Sequence, residues 1–336
     1  SGESDGRYFA YDPSWGGLVA VPAEFGSNDY NDQHFQYGYL VRAAAVLAEA
    51  DPDFLALYGP TVDLVVREYS GALSSEGADG FPPFRVFNAY VGNSAAYGFA
   101  TFADGNNQQS SSEAVAAWEA VVRWGLVRDN ATLTSYGLTH YAIEAANARR
   151  YWLGEGTARP AGYRHSSVGI VWDAKLDYAT WFDAKPESVQ GMQLVPLTFG
   201  SLYRADPAAA AARSAELVGK TGSRARVWGD LFAADLALAD PAAARVRLLR
   251  AQPREESTSR AMVRYFIETL AAVGPPQNGI TVDGPYGLAF GSLDAPMLAA
   301  VNPTGSRRTV TFRHGATVIA TITLEPGQAQ TKVPGR

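Results

Sequence analysis

Cysteine is absent from this chain of 336 residues, which excludes disulfides, cysteine nucleophiles and thiolate metal sites. The four histidines are scattered and form no HExxH pair, so we expect no metal site. The chain lacks a Lys/Arg block, which argues against a nucleic-acid partner. It also lacks an apolar run of roughly 20 residues, which argues against a membrane span. Nothing in the sequence calls for a cofactor.

Aromatic residues, in contrast, are plentiful. The 7 Trp, 17 Tyr and 15 Phe make up 12% of the chain, and several stand beside Gly, Asn and Asp rather than inside apolar runs. Sugar rings present flat C–H faces that stack on aromatic side chains. A large core also needs aromatic residues, so composition alone leaves both explanations open.

The hydrophobic pattern is mainly helical. Apolar spacing and capping residues predict helices over 34–50, 52–69, 110–124, 133–153, 206–219, 226–238, 241–250 and 257–273. Short strands are expected at Ile170–Trp172 and Leu194–Val195, and a β tail at Thr309–Phe312 and Val318–Leu324 with a turn at His314–Gly315. Long polar and aromatic loops join the helices, and loops of that length are usually functional. Helix pairs arranged in a ring would place these loops at one end, where a cleft can form.

The first candidate for chemistry is Asp32, in a run of polar and aromatic residues directly before the first helix. An aspartate in that position can simply be an N-cap. Alternatively, its aromatic neighbours would desolvate the carboxyl group and raise its pKa, as a proton donor to a leaving oxygen requires.

The second candidate is the segment Asn106–Glu113, at the start of the third helix. Ser110 and Glu113 have the spacing of a capping box, so Glu113 could serve only the helix end. Gln109 and Glu113 are four residues apart, however, and could together position a water molecule or sugar hydroxyls. With Asp32, this pattern is typical of a glycosidase that works with two carboxylates.

These same segments resemble glycoside hydrolase family 81, the endo-β-1,3-glucanases. The family's Y-N-D-H-H-F-H-Y-G-Y segment is similar to Tyr30–Tyr39, and its F-P-x-x-R segment to Phe81–Arg85. Its N-Q-E-S-S-S-E segment is similar to Asn107–Glu113. Further similarities follow in the family's order at Thr180–Phe182, Gly191–Pro196 and Trp228–Asp230.

The helical pattern with its C-terminal strands predicts a mainly α protein, with a helical catalytic domain over residues 1–295 and a small β tail over 296–336 packed on it. The resemblance implies that the helices form an (α/α)6 barrel-like toroid, complete or incomplete. It also implies an inverting mechanism with Asp32 as the general acid. The resemblance and the loop positions together give the expected substrate-binding residues Tyr30, Asn31, His34, Tyr37, Arg85, Asn88, Asn93, Asn107 and Trp181.

Several positions depart from the family pattern. The family's general base is the first Glu of N-Q-E-S-S-S-E, where this chain has Gln109, and an amide cannot take a proton from water. Glu113 matches the family's second Glu and is the best remaining base. Either Gln109 is an engineered Glu→Gln change or the chain is a natural, divergent relative. Other departures favour divergence, at Gln33, Gln36, Asn88, Asn93 and Ala95.

The chain is also short for the family, whose full members carry a large N-terminal β-sandwich domain. About eight helices are predicted where the barrel needs twelve, so the remainder is expected to be missing, cleaved or supplied by another chain. The leading hypothesis is a secreted enzyme that cleaves β-1,3-glucan internally, with Asp32 as acid and Glu113 or position 109 as base. The alternatives are a glycosidase for another polysaccharide and a glucan-binding protein without turnover.

Overall fold

The computed structural model describes residues 6–72, 80–155, 159–222, 225–251 and 258–334. The chain divides into two compact units, residues 1–152 with 169–177 and residues 153–168 with 178–336. The predicted division at 295/296 stays a prediction. The predicted start of the last helix, at residue 257, lies outside the described residues.

The first unit begins with a hairpin of β1 (Tyr8–Asp12) and β2 (Gly17–Val21). Its four long helices are α1 (Gln33–Ala50), α2 (Pro52–Ser70), α3 (Ser111–Val127) and α4 (Ala131–Asn147), the last continued by a π-helical turn at Ala148–Trp152. Very short strands connect the loops: β3 (Phe87–Asn88) with β4 (Asn93–Ser94), and β5 (Asn107–Gln108) with β6 (Ile170–Trp172) and β7 (Leu176–Asp177). The helix starts match the expected capping signals, since Asp51 accepts from Asp53 N and Phe54 N, with Pro52 in the first turn.

Helices α1 and α3 run side by side in the same direction. Three contacts between them occur in the same order along both helices: Asp32 with Gln109, Phe35 with Ala114, and Gly38 with Ala117. A Cβ atom at Gly38 would stand 2.9 Å from Ala117, so glycine is what allows the two backbones to approach this closely. The parallel packing brings the two helix N-termini, and the loops before them, to the same place.

The second unit contains α5 (Pro186–Gly191), α6 (Pro207–Thr221), α7 (Gly229–Leu236), α8 (Pro241–Arg250) and α9 (Arg260–Val273). Two three-stranded antiparallel sheets follow, with strand orders β13-β10-β9 and β12-β11-β8. Their strands are β8 (Ile280–Val282), β9 (Gly287–Gly291), β10 (Pro296–Val301), β11 (Arg308–His314), β12 (Thr317–Leu324) and β13 (Ala329–Lys332). Buried residues from both sheets, among them Leu298 and Phe312, form one core.

The predicted strand at Leu194–Val195 is wrong. Leu194 N donates to Gly191 O in a turn, and Pro196 has no N–H to continue a ladder. Both residues are buried in the apolar core of the second unit, so their hydrophobicity reflects packing rather than strand pairing. The described helices include none with the length and apolar character needed to cross a membrane.

Candidate active site

Asp32 occupies the N-cap position of α1 without capping the helix. Its backbone is left-handed, with φ 54°, and its side chain makes no capping hydrogen bond. The backbone N–H instead donates to Ala96 O at 2.8 Å, which ties the Asp32 loop to the segment before β5. The N-cap alternative is therefore wrong, and the carboxyl group is turned toward Gln109, whose Nε2 donates to Asp32 Oδ1 at 3.0 Å.

Burial gives this carboxyl group the properties of a proton donor. Desolvation raises the pKa of Asp32 to about 6, and the hydrogen bond from Gln109 only partly opposes that rise. Among the described residues no cation forms an ion pair with Asp32. A carboxyl group with a pKa near 6 holds its proton at mildly acidic pH, as general acid catalysis requires.

Gln109 lies between β5 and α3, and its side chain is buried. Its amide and the Asp32 carboxylate are in direct contact, whereas the two carboxyl groups of inverting glycosidases stand roughly 6.5–9.5 Å apart to leave room for water. An amide in this position can orient Asp32 by hydrogen bonding, but it cannot accept a proton from water.

Glu113 lies in the first turn of α3, close to both of these residues. Desolvation raises its pKa to about 7, the charge of Asp32 contributes to the rise, and hydrogen bonds from the Ser110 and Tyr39 side chains oppose it. Ser110 makes no side-chain cap to the helix, so the predicted capping box does not form. Glu113 is thus an ionisable group within electrostatic reach of Asp32.

Tyr39 was missed by sequence reasoning. It lies seven residues after Asp32, two turns along α1, so the helical repeat puts both on one side of the helix. It also closes the Tyr30–Tyr39 segment on which the family resemblance rests. That combination was the signal available in the sequence.

Most of the predicted substrate-binding residues are buried in the first unit. His34 and Tyr37 are core residues, and burial lowers the pKa of His34 to about 3, which keeps its imidazole neutral. Tyr37 donates through its hydroxyl to Leu18 O at 3.0 Å. Asn93 is also buried and donates to Ser94 O, while Asn107 lies in β5 at 3% exposure.

Tyr30 and Arg85 belong to a buried polar network beside the Asp32 loop. The Tyr30 hydroxyl donates to Asp12 Oδ2 at 2.9 Å, and the Arg85 guanidinium lies 4.3 Å over the Tyr30 ring. Arg85 also pairs with Glu68 at 3.1 Å and donates to the carbonyl of Gly16. These contacts hold the β1–β2 turn against the residues that precede Asp32.

The remaining three predicted residues are more accessible. Asn31 Oδ1 accepts from Gly98 N at 3.0 Å, and Asn88 is exposed at the end of β3, where its Oδ1 accepts from Tyr90 N. Trp181 is 52% exposed and belongs to the second unit. The structure thus groups Asp32, Gln109, Glu113 and Asn31 locally and describes Trp181 within a separate unit.

A buried chain of hydrogen bonds runs behind β5. Glu144 Oε2 accepts from Ser94 N and Oγ at 2.8 Å and from Trp118 Nε1 at 3.3 Å. Gln108 Nε2 donates to Ser94 O at 2.9 Å and lies 3.0 Å from His34 Nε2. Because Gln108 precedes Gln109, this chain fixes the backbone that carries the partner of Asp32. The described residues contain no group of three His, Asp or Glu side chains that could hold a metal ion.

Comparison with known proteins gives consistent matches. The profile described as the C-terminal domain of glycosyl hydrolase family 81 matches residues 3–262. A glucan endo-1,3-beta-D-glucosidase from Thermobifida fusca is 38% identical over 98% of this chain and 44% of its own length. One of that name from Acetivibrio thermocellus is 33% identical over 92% of the chain and 40% of its own length.

A solved structure of a family 81 glycoside hydrolase from Clostridium thermocellum, in a Glu-to-Ala mutant form, superposes with a TM-score of 0.83 at 31% identity. It covers 97% of this chain and 46% of the solved chain, so this chain spans less than half the length of the relatives it matches. On the profile match, which spans well over half of the residues, this chain belongs to glycoside hydrolase family 81.

Proposed function

We propose that this chain is the catalytic part of a secreted, inverting endo-β-1,3-glucanase in which Asp32 is the general acid and Glu113 the general base. The observation that carries the proposal is the convergence of two carboxyl groups with raised pKa values at the paired N-termini of α1 and α3. The names of the matched relatives supply the substrate class, β-1,3-glucan.

The geometry supports a division of labour at Asp32. Gln109 Nε2 holds Oδ1, which leaves Oδ2 to carry the proton. That proton passes to the glycosidic oxygen as its bond to the anomeric carbon breaks. Glu113 takes a proton from the water that attacks the anomeric carbon from the opposite face, so the product has the inverted configuration.

We further propose that the helices form all or part of an (α/α)6 toroid whose loops line a glucan cleft. A polysaccharide does not cross membranes, so the enzyme would act outside the cell. Asn31, Asn88 and Trp181 are the accessible candidates for contacts with sugar. The buried candidates Tyr30, His34, Tyr37, Asn93 and Asn107, and the partly buried Arg85, would act by holding the loops in place.

The test is release of reducing ends from laminarin by the chain and by Asp32→Asn and Glu113→Gln. Each substitution is expected to lower kcat by about 10²–10⁴-fold, the usual contribution of a positioned acid or base. Glu119→Gln is the control, because Glu119 is a partly buried glutamate on the same helix. Proton NMR of the first products should show the inverted anomer. Full activity in Glu113→Gln would reject Glu113 as the base.

A second candidate, a glucan-binding protein without turnover, is favoured by Gln109. Tight laminarin binding with no product from either the chain or Gln109→Glu would establish it. Hydrolysis by Gln109→Glu alone would show that position 109 supplies the base and that the chain is an inactivated enzyme. Running both proteins on glucans, mannans and arabinans also tests for a different polysaccharide.

A further inference from the structure

Backbone strain in the first unit is concentrated around Asp32. Among the described residues, six other than glycine have a positive φ, and four of these are Phe25, Tyr30, Asp32 and Ala100, with φ from 48° to 62°. A bulky residue in this region costs on the order of 1 kcal/mol or more and persists only where surrounding contacts enforce it. The strained residues occupy two loops, residues 25–32 and 97–100.

Contacts at Asn31 lock these two loops together. Asn31 N donates to Gly26 O at 3.1 Å, and Asn31 Oδ1 accepts from Gly98 N at 3.0 Å. A Cβ at Gly98 would stand 2.2 Å from Asp29 O, so the second loop lies directly on the first. The residue after Gly98, Phe99, is therefore fixed beside the segment that carries the candidate acid.

Two aromatic rings on these elements remain exposed to solvent. Trp15, in the β1–β2 turn, and Phe99 have ring centroids 5.5 Å apart and are 58% and 42% exposed. Phe99 also contacts the Tyr30 ring edge-on at 6.5 Å, and Trp15 O accepts from Arg85, which lies over that same ring. Solvent-exposed aromatic side chains held rigidly in place carry little stability and are typical of binding surfaces.

We infer that Trp15 and Phe99 form an aromatic ledge that stacks against a glucosyl unit of the β-glucan chain next to the bond cleaved by Asp32. The inference rests on the proposed function and adds a subsite to it. A β-glucose ring has equatorial hydroxyls, so both of its faces present C–H groups to an aromatic surface. Only Asn31 separates Tyr30, whose ring contacts Phe99, from Asp32, so a sugar on the ledge would lie beside the segment that carries the acid.

The test uses Trp15→Ala and Phe99→Ala, each compared with Tyr8→Ala. Tyr8 is the matched control because it is also 58% exposed and belongs to the same hairpin, at the end opposite Trp15. Each ledge variant is expected to raise the KM for laminarin about tenfold, with kcat at saturation nearly unchanged. When it is combined with Asp32→Asn, the Kd for laminarin should also rise about tenfold. Trp15→Phe should retain most of the binding. Thermal melting of each variant identifies any that fails to fold.

Unchanged KM and Kd in both alanine variants would overturn the ledge while leaving the proposed function intact. If the parent chain neither binds nor cleaves laminarin, the ledge and the proposed function both fall. Sedimentation velocity tests whether a second copy of the chain covers the ledge instead. If the parent chain is a dimer and Trp15→Ala is a monomer with unchanged glucan binding, the ledge is an interface between copies, and the inference is overturned.

Discussion

Among the described residues, three carboxyl groups of the first unit are buried without a cation, whereas two of the second unit are held by cations. In the first unit, burial raises the pKa of Asp32 to about 6 and of Glu113 and Glu144 to about 7, and no described cation forms an ion pair with any of the three. In the second unit, Asp235 receives two hydrogen bonds of 2.9 Å from Arg213, with Arg204 at 3.6 Å. There Lys220 and the Ser166 N–H lower the pKa of Glu216 to about 2 despite its burial.

This difference distinguishes acids that can exchange a proton from acids that stabilise the fold. A buried carboxyl group without a cation is costly to ionise, so it keeps a proton that it can transfer. Asp235 is instead held by Arg213 and Arg204, and a buried ion pair of this kind holds elements together. Asp235 and Glu216 of the second unit thus hold neighbouring groups, whereas Asp32, Glu113 and Glu144 of the first unit titrate near neutrality.

The sharpest test compares the same substitution in the two units. Asp32→Asn should lower kcat on laminarin about 10²–10⁴-fold and leave stability unchanged or slightly improved, because an uncompensated buried acid is removed. Asp235→Asn should leave kcat within about twofold but lower the free energy of unfolding by about 3–5 kcal/mol, because buried Arg213 loses its counter-charge.

Reducing-end assays and urea denaturation measure the two effects on the same preparations. The comparison breaks down if Asp32→Asn is strongly destabilising or if folded Asp235→Asn is inactive.

A bell-shaped pH dependence is the next largest effect. The proposed mechanism requires Asp32 protonated and Glu113 ionised, so kcat/KM should peak between about pH 6 and 7, where the pair titrates, and fall about tenfold per pH unit well outside that range. Glu113 has the higher pKa of the pair, so its pKa sets the basic limb of the profile. Tyr39→Phe removes a hydrogen bond that lowers this pKa, so the basic limb should move to higher pH and the maximum kcat/KM should fall. Glu119→Gln should leave both limbs unmoved, and a basic limb unaffected by Tyr39→Phe would contradict the role of Glu113.

The smallest expected effect concerns stability against pH. Because its pKa is raised on folding, Glu144 contributes stability that is fully present below about pH 4.5 and lost as the pH rises through about 7. Glu144→Gln does not lose this contribution. As the pH is raised from about 4.5 to about 8, the free energy of unfolding of the variant should therefore increase by about 1–3 kcal/mol relative to that of the parent.

Glu216→Gln should behave in the opposite way. The pKa of Glu216 is lowered, so its contribution is present above about pH 4.5 and disappears as the pH falls through about 2. Thermal or urea unfolding at several pH values checks both variants. Parallel slopes for the two would show that the units do not differ as described.

The sequence identified the helices and the candidate acid through local rules. Helices with Asp or Asn before them and proline in the first turn were predicted close to their observed ends, as α2 and α8 illustrate. The strands of the β tail were recognisable by alternation, but β8, β9, β10 and β13 were not, since their pairing depends on partners far along the chain. Local pattern likewise mistook the packed turn at Leu194 for a strand.

What the sequence by itself determined was which residues could do chemistry: Asp32, Gln109 and Glu113, each at or near a helix start. What only the tertiary structure decided was what they do there. Helices α1 and α3 pack closely at Gly38, and residues 32 and 109, which are far apart in the chain, meet at the N-termini of the two helices. Gln109 Nε2 lies 3.0 Å from Asp32 Oδ1 there. Burial and the left-handed backbone at Asp32 then turn its carboxyl group away from the helix end. Capping is a local property, whereas desolvation and contact between distant loops arise only when the chain has folded.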